Sequence, residues 1–116
     1  MMEFVIRGIP SPWANGEPEV RWRKAIATQV PPRPEIPAGA VFEVELEFCV
    51  HPDRLLRGND LDNLAKPVLD TLFTQSRPSK HPTGALFGVD DGQVVDLKLR
   101  KTAAQEEGVR VAIRWR

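Results

Sequence analysis

Hydrophobic and polar residues alternate along the stretch Val41 to Val50. Successive side chains of a β-strand point to opposite faces, so this alternation predicts a strand with one buried face. The predicted buried face comprises Phe42, Val44, Leu46, Phe48 and Val50. The opposite face carries Glu43, Glu45 and Glu47, and we expect these glutamates to be solvated surface residues and not metal ligands.

Shorter runs rich in β-branched residues predict three further strands, at Glu3 to Ile9, Gln93 to Lys101 and Val109 to Trp115. In the last two, the residues expected to point inward are Val95, Leu97, Leu99, Val111 and Ile113. A helix of about three turns is predicted from Pro18, because Trp22, Ile26 and Gln29 recur at three- and four-residue steps. The polar side of this helix is expected to carry the basic residues Arg21, Arg23 and Lys24.

A second helix is predicted after a turn at Gly58 and Asn59, and runs to Phe73 or Thr74. Its apolar stripe is Leu64, Val68, Leu69, Leu72 and Phe73. Pro67 lacks an amide hydrogen, and only the first amides of a helix lack an intrahelical acceptor. We therefore expect the helix to begin close to Pro67, at Asp62, Asn63 or Leu64.

These elements predict a single α/β (α+β) domain over residues 1–116, in the order β-α-β-α-β-β, with two helices on a mixed sheet of about four strands. A proline-rich connector precedes the alternating strand, and a long polar loop covers residues 74–88. No apolar run is long enough to span a membrane, and no secretory signal is recognisable, so we expect a cytoplasmic protein without membrane partners. The single cysteine, Cys49, excludes an internal disulfide.

Acidic residues cluster in two short segments of the second half. Asp62, Lys66 and Asp70 are spaced by four and share one helix side, and Asp60 lies just before them. Downstream, Asp90 and Asp91 precede a predicted strand. Oxygen ligands of this kind suit Mg²⁺. Taken separately, the first segment also fits a helix N-cap and the second a plain turn. The string does not fit an EF-hand, because the twelfth position is Thr71 and not glutamate.

Two linked motifs resemble the RusA-type Holliday-junction resolvases, which are small homodimeric endonucleases of bacteria and their phages. The first is Asp60-x-Asp62-Asn63-Leu64-x-Lys66-x-x-x-Asp70-x-Leu72. The second is Val89-Asp90-Asp91-x-Gln93-Val94-Val95, followed by a basic strand end at Lys98, Arg100 and Lys101. The resemblance is close from about Phe48 to Lys101, which is roughly half of the chain.

The resemblance implies a role for each matched residue. It implies that Asp60, Asp62 and Asp91 are catalytic carboxylates that bind Mg²⁺, with Mn²⁺ as an expected substitute, and that Lys66 contacts the scissile phosphate. Supporting roles fall to Asn63, Asp70 and Asp90. A metal shared by these three aspartates favours antiparallel pairing of the second and third strands, because the end of one must then lie beside the start of the other.

The formal net charge of zero conceals an uneven distribution of charge. Five acids belong to the expected active site and three to the alternating strand, which leaves the basic residues with few acids among them. Family members often carry basic residues after the first strand, but Pro10 to Gly16 has none, so the long loop is expected to supply that contact. The expected DNA contacts are Arg54, Arg57, Arg77, Lys80, Arg100 and Lys101.

The function implied is Mg²⁺-dependent cleavage of Holliday junctions by paired symmetric incisions, carried out by a homodimer in DNA recombination and repair. A bacterial nucleoid or a phage or prophage is the implied setting. Two alternatives stay open: a nuclease for other branched DNA such as forks and flaps, and a junction-binding protein without catalysis. Trp13 lies in a loop rich in proline and glycine, and is the tryptophan expected to contact DNA.

Overall fold

The computed structural model describes residues 1–57 and 60–116, and comprises four strands and two helices in its main elements. In chain order these are β1 (Met2–Arg7), α1 (Glu17–Gln29), β2 (Phe42–Val50), α2 (Leu61–Leu72), β3 (Val94–Ala103) and β4 (Gly108–Trp115). The order β-α-β-α-β-β and the mixed four-stranded sheet confirm the predicted fold class. The turn predicted at Gly58 and Asn59 lies outside the described residues.

The sheet has the strand order β1-β4-β2-β3, with β4 antiparallel to both β1 and β2. The pair β2 and β3 is parallel, with Phe42 opposite Val94 and Val50 opposite Ala103. The antiparallel pairing expected for these two strands is therefore wrong. The reason is the connection: α2 crosses from the end of β2 back to the start of β3, as parallel neighbours require. The turn before β3 therefore lies near the C-terminal end of α2, at the opposite end from the start of that helix.

The core lies between the helices and one face of the sheet. Phe42, Phe48, Leu46 and Val44 of β2 are almost fully buried, as the alternation predicted. Phe42 also contacts the rings of Phe73 and Phe87, with centroids 5.2 and 4.9 Å away. Two of the residues expected to point inward on β3 are exposed, Val95 by 56% and Leu97 by 39%, because β3 is an edge strand and a register shift between Phe42 and Glu43 interrupts its pairing beside Val95.

The helix-free face of the sheet carries the three glutamates of β2, as predicted. Each of them faces an arginine: Glu43 with Arg116 at 3.6 Å, Glu45 with Arg100 at 3.8 Å, and Glu47 with Arg110 at 3.8 Å. These are exposed ion pairs that contribute little to stability, but they occupy the glutamates and set them apart from the acids around α2. Within residues 1–57 and 60–116, neither helix has the length and hydrophobicity needed to cross a membrane.

Candidate functional site

The start of α2 presents the first acidic segment to solvent. Asp60 is the N-cap residue, Asp62 lies in the first turn, and Asp60, Asp62 and Asn63 are all exposed. Neither carboxylate forms an ion pair with another residue of the described ranges, and the Asp60 side chain does not cap the helix. A negative charge in this position is favoured by the helix dipole. The two carboxylates are therefore accessible ligands without a competing cation from the described chain.

Pro67 lies at the seventh position of α2, deeper than predicted, because the helix already begins at Leu61. The missing amide hydrogen of Pro67 leaves the carbonyl oxygen of Asn63 without its usual helical donor. The backbone N–H of Trp13 donates to that oxygen at 3.1 Å. An acceptor freed by the proline thus binds the β1–α1 loop, which explains how α2 tolerates Pro67 in its interior.

The β1–α1 loop carries the side chain of Trp13 to the side of α2. Lys66 Nζ lies over the indole ring, 5.8 Å from its centroid, in a cation–π arrangement. The next residue, Ala14, has φ of 61°, a left-handed conformation that a side chain disfavours by about 1–3 kcal/mol. A strained backbone is kept where the surrounding contacts fix it, and here it turns the loop immediately after Trp13.

A buried chain of charges connects the two helices behind Lys66. Arg23 of α1 donates from Nη2 and Nε to Glu19 Oε2 at 2.8 and 2.9 Å, and its Nη2 lies 3.4 Å from Asp70 Oδ2. Asp70 Oδ2 in turn lies 3.5 Å from Lys66 Nζ. The side chains of Arg23 and Asp70 are 3% and 5% exposed, whereas that of Lys66 is 48% exposed. The chain of charges therefore runs from the interior to the surface and ends on the lysine.

Arg23 is the functional candidate that sequence reasoning placed incorrectly. It was expected on the polar side of α1 with Arg21 and Lys24, but it is buried beside Trp22. The signal was present in the spacing, because Glu19 and Arg23 are four apart and flank the buried stripe of Trp22 and Ile26. Arg23 Nη1 has no hydrogen-bond partner among the described residues. Such an orphan donor costs free energy, which offsets part of what the contacts of Arg23 with Glu19 and Asp70 contribute.

The second acidic segment forms a tight turn at the other end of α2. The Asp90 carboxylate accepts from the Gly92 N–H at 2.7 Å, and the Asp91 N–H donates to the Thr74 carbonyl at 3.0 Å. Burial raises the pKa of Asp91, and the carboxylates of Asp90 and Asp70 raise it further, while Lys66 acts in the opposite direction. The structure thus brings Asp70, Asp90, Asp91 and Lys66 into one electrostatic environment.

These residues match a divalent metal in the chemistry of their oxygen atoms but not in their grouping. Within residues 1–57 and 60–116, no three His, Cys, Asp or Glu side chains form a group that could hold a metal ion. Asp62 and Asp70 are eight residues apart, which is about 12 Å along a helix axis. Magnesium needs only one or two carboxylates besides water and substrate phosphate. The exposed pair at the start of α2 and the crowded Asp91 therefore fit as separate oxygen ligands, and the shared three-aspartate site stays a prediction.

The six basic residues expected to contact DNA are distributed over several surfaces. Arg54 lies 2.6 Å from Glu107 and donates to the Pro10 carbonyl at 3.1 Å, so it joins the β1–α1 loop. Exposed positions are also found for three others, Arg57, Arg77 and Lys80. Arg100 faces Glu45 on the helix-free face, and its neighbour Lys101 points to the other side of the sheet. Arg100 and Lys101 therefore lie on opposite faces of the sheet, so a single DNA surface cannot contact both equally.

Comparison with known proteins adds no assignment to this geometry. No protein-family model matches the chain, and no curated protein matches it. The functional conclusion therefore depends on the residues and their arrangement.

Proposed function

We propose that this protein is a Mg²⁺-dependent, structure-selective endodeoxyribonuclease that resolves Holliday junctions as a homodimer, as its resemblance to the RusA-type family implies. The observation that carries the proposal is the arrangement along α2: exposed Asp60 and Asp62 lie at its start, and half-exposed Lys66, about one turn further on, lies 3.5 Å from Asp70 Oδ2. Burial and the carboxylates of Asp90 and Asp70 also raise the pKa of Asp91. Exposed carboxylates beside a positioned ammonium group suit a cation and a phosphate.

Asp60 and Asp62 would hold the metal ion at the start of α2; the resemblance adds Asp91 as a third ligand, but its turn lies at the other end of the helix. When bound, Mg²⁺ supplies a Lewis acid that lowers the pKa of a coordinated water and offsets phosphate charge. The exposed positions of Asp60 and Asp62 leave room for water and for DNA beside the ion. Asp90 accepts a backbone N–H and so fixes the turn on which Asp91 is carried.

Lys66 supplies the fixed positive charge of the proposed site. Its ammonium group is held by Asp70 Oδ2 at 3.5 Å and by the ring of Trp13, and it is still half-exposed. In hydrolysis, a water oxygen bonds to phosphorus as the bond to the leaving oxygen breaks, and negative charge grows on the phosphoryl oxygens. A preorganised ammonium group near those oxygens lowers the barrier more than a mobile one, because it needs no reorganisation.

Digestion of synthetic DNA tests the proposal directly. A four-way junction, a fork, a flap and a linear duplex of shared sequence are incubated with the protein in Mg²⁺, in Mn²⁺ and without divalent metal. We expect paired symmetric incisions in the junction with either metal and none without. Preferred cleavage of forks or flaps would favour the nuclease for other branched DNA. Tight junction binding without cleavage in any metal would favour the non-catalytic binding protein.

The role of Lys66 has its own measurement. Lys66→Ala is expected to reduce kcat by about 10²-fold or more while junction affinity changes less, because the lysine acts on charge that develops in the transition state. Equal losses of turnover and affinity would assign Lys66 to DNA anchoring.

Light scattering at twice the chain mass of 13.0 kDa would support the dimer, and a monomer that makes paired incisions would contradict it.

A further inference from the structure

Trp13 is a large aromatic side chain that the fold leaves in solvent. It is 54% exposed, whereas the other tryptophan of this region, Trp22, is 1% exposed. Lys66 Nζ lies 5.8 Å from the Trp13 centroid. Exposed aromatic rings that are held in place are enriched at binding sites, because they supply contact area at little entropic cost.

The position of Trp13 is fixed by its surroundings. Its backbone N–H donates to the Asn63 carbonyl that Pro67 frees, at 3.1 Å. On the same loop, Asn15 Nδ2 donates to Ser11 Oγ at 2.9 Å, and the Asn15 N–H donates to Glu19 Oε1 at 3.2 Å. The loop is thus attached to both helices. The exposed ring is therefore carried by an anchored loop and not by one that lacks contacts.

The chemistry beside the ring indicates the ligand. A nucleotide combines a flat aromatic base with an anionic phosphate, and the structure sets an aromatic ring beside an ammonium group. Base–aromatic stacking requires a base with an accessible face, which the interior of a linear duplex does not offer. Bases at a branch point have lost a stacked neighbour, so they offer such a face.

We propose that Trp13 is a stacking site for an unpaired or unstacked nucleobase, and that Lys66 contacts an adjacent phosphate of the same strand. This inference depends on the proposed function for the role of Lys66, and it adds a physical basis for selecting branched over linear DNA. Asn63 and Pro67 then act as positioning residues, because they hold the loop that carries the ring.

Binding measurements without divalent metal test the stacking site, so that cleavage does not interfere. A four-way junction carrying 2-aminopurine beside the branch point and a linear duplex of the same sequence are titrated with wild type, Trp13→Ala and Trp13→Phe. Trp13→Ala should weaken junction binding by about 5- to 100-fold and duplex binding by no more than about threefold. Trp13→Phe keeps a stacking ring and should stay within about threefold of wild type. Val5→Ala removes a comparably exposed apolar side chain on the helix-free face and should have no effect.

Tryptophan fluorescence gives a second readout that does not need a variant with altered binding. The difference between the emission of wild type and Trp13→Phe reports Trp13, and junction DNA should quench it. Unchanged Trp13 emission with bound junction, or equal losses on junction and duplex for Trp13→Ala, would overturn the inference and leave the nuclease proposal intact. Quenching of Trp13 by a short oligothymidine, without cleavage of any branched DNA in Mg²⁺, would support the stacking site and overturn the nuclease. Failure of the wild type to bind any DNA would overturn both.

Discussion

Helix α2 carries carboxylates of two opposite kinds. Asp60 and Asp62 at its start are exposed and have no cation partner in the described residues. Asp70, two turns further on, is 5% exposed and contacts both Arg23 and Lys66. All three carboxylates belong to the same short motif, and they would have equal standing if the sequence spacing alone were considered.

The two kinds of carboxylate suit different roles: the exposed ones can bind a ligand, and the buried one can hold Lys66 in place. A buried carboxylate that already contacts two cations cannot give up those contacts without a large cost in free energy. An exposed carboxylate without a partner loses little when a metal replaces its water. The start of α2 is therefore the part of the motif available to a ligand, and Asp70 is the part that holds Lys66 in place.

The largest expected effects come from replacing aspartate by asparagine at the exposed and at the buried positions of α2. Asp62→Asn is expected to lower junction cleavage by about 10³-fold or more while the free energy of unfolding changes by less than about 1 kcal/mol. Asp60→Asn should behave alike. Asp70→Asn removes a buried charge partner and should cost about 3 kcal/mol of stability. Cleavage assays and urea denaturation measure the two effects. Full activity in Asp62→Asn would remove that residue from the site.

Removal of the guanidinium behind Asp70 tests the supporting role. Arg23→Met leaves Glu19 and Asp70 buried without their shared cation, so we expect a loss of about 3–5 kcal/mol in the free energy of unfolding. The matched control is Arg21→Met on the same helix, whose side chain is exposed and lies 3.9 Å from Glu17. That control should stay within about 0.5 kcal/mol of wild type. Similar losses in both variants, measured by urea denaturation, would show that the buried network has no special role.

Arg23 also shows where sequence reasoning succeeded and where it could not. The four strands, two helices and core face of β2 follow from periodicity, because each pattern repeats over several turns or pairs of residues. The four-residue spacing of Glu19 and Arg23 indicates one partner of the buried arginine, but the other, Asp70, is 47 positions away and no local pattern contains that contact. The apolar stripe of Trp22 and Ile26 sets the inner side of α1, and the contact with Asp70 lets Arg23 lie beside it.

The parallel pairing of β2 and β3 was missed for a related reason. The expectation of antiparallel strands came from an assumed metal shared by Asp60, Asp62 and Asp91. The helical crossover between the strands is the stronger constraint, since it returns the chain to the same end of the sheet. The position of Pro67 likewise predicts a helix start at Asn63 or Leu64, whereas the helix begins at Leu61, because the compensating donor, the Trp13 N–H, comes from a distant loop.

Metal binding should sharpen the contrast through stability. When the free Mg²⁺ concentration is about a hundred times the Kd, binding to the folded protein raises the free energy of unfolding by about 2.7 kcal/mol. We expect a rise of the thermal midpoint with Mg²⁺ in wild type and little rise in Asp62→Asn. The exposed acid Asp53 lies outside the motif, so Asp53→Asn should respond as wild type does. An equal rise in wild type and Asp62→Asn, recorded without DNA, would place the metal away from the start of α2.

The smallest expected effect concerns the pH dependence of stability at Asp91. Burial and nearby acids raise the pKa of Asp91 in the folded state, so the unfolded chain releases the Asp91 proton more readily. The protein therefore loses stability as the pH rises from the unperturbed pKa through the raised one, because Asp91 must then carry its charge in the folded state. Asp91→Asn should therefore be more stable than wild type near pH 7, and the advantage should vanish below the unperturbed pKa of 3.8. Asp53→Asn serves as the comparison. Thermal unfolding in metal-free buffer from pH 3.5 to pH 7 measures the difference, and a variant less stable than wild type at pH 7 would mean that the Asp91 carboxylate stabilises the fold instead of being strained by its neighbours.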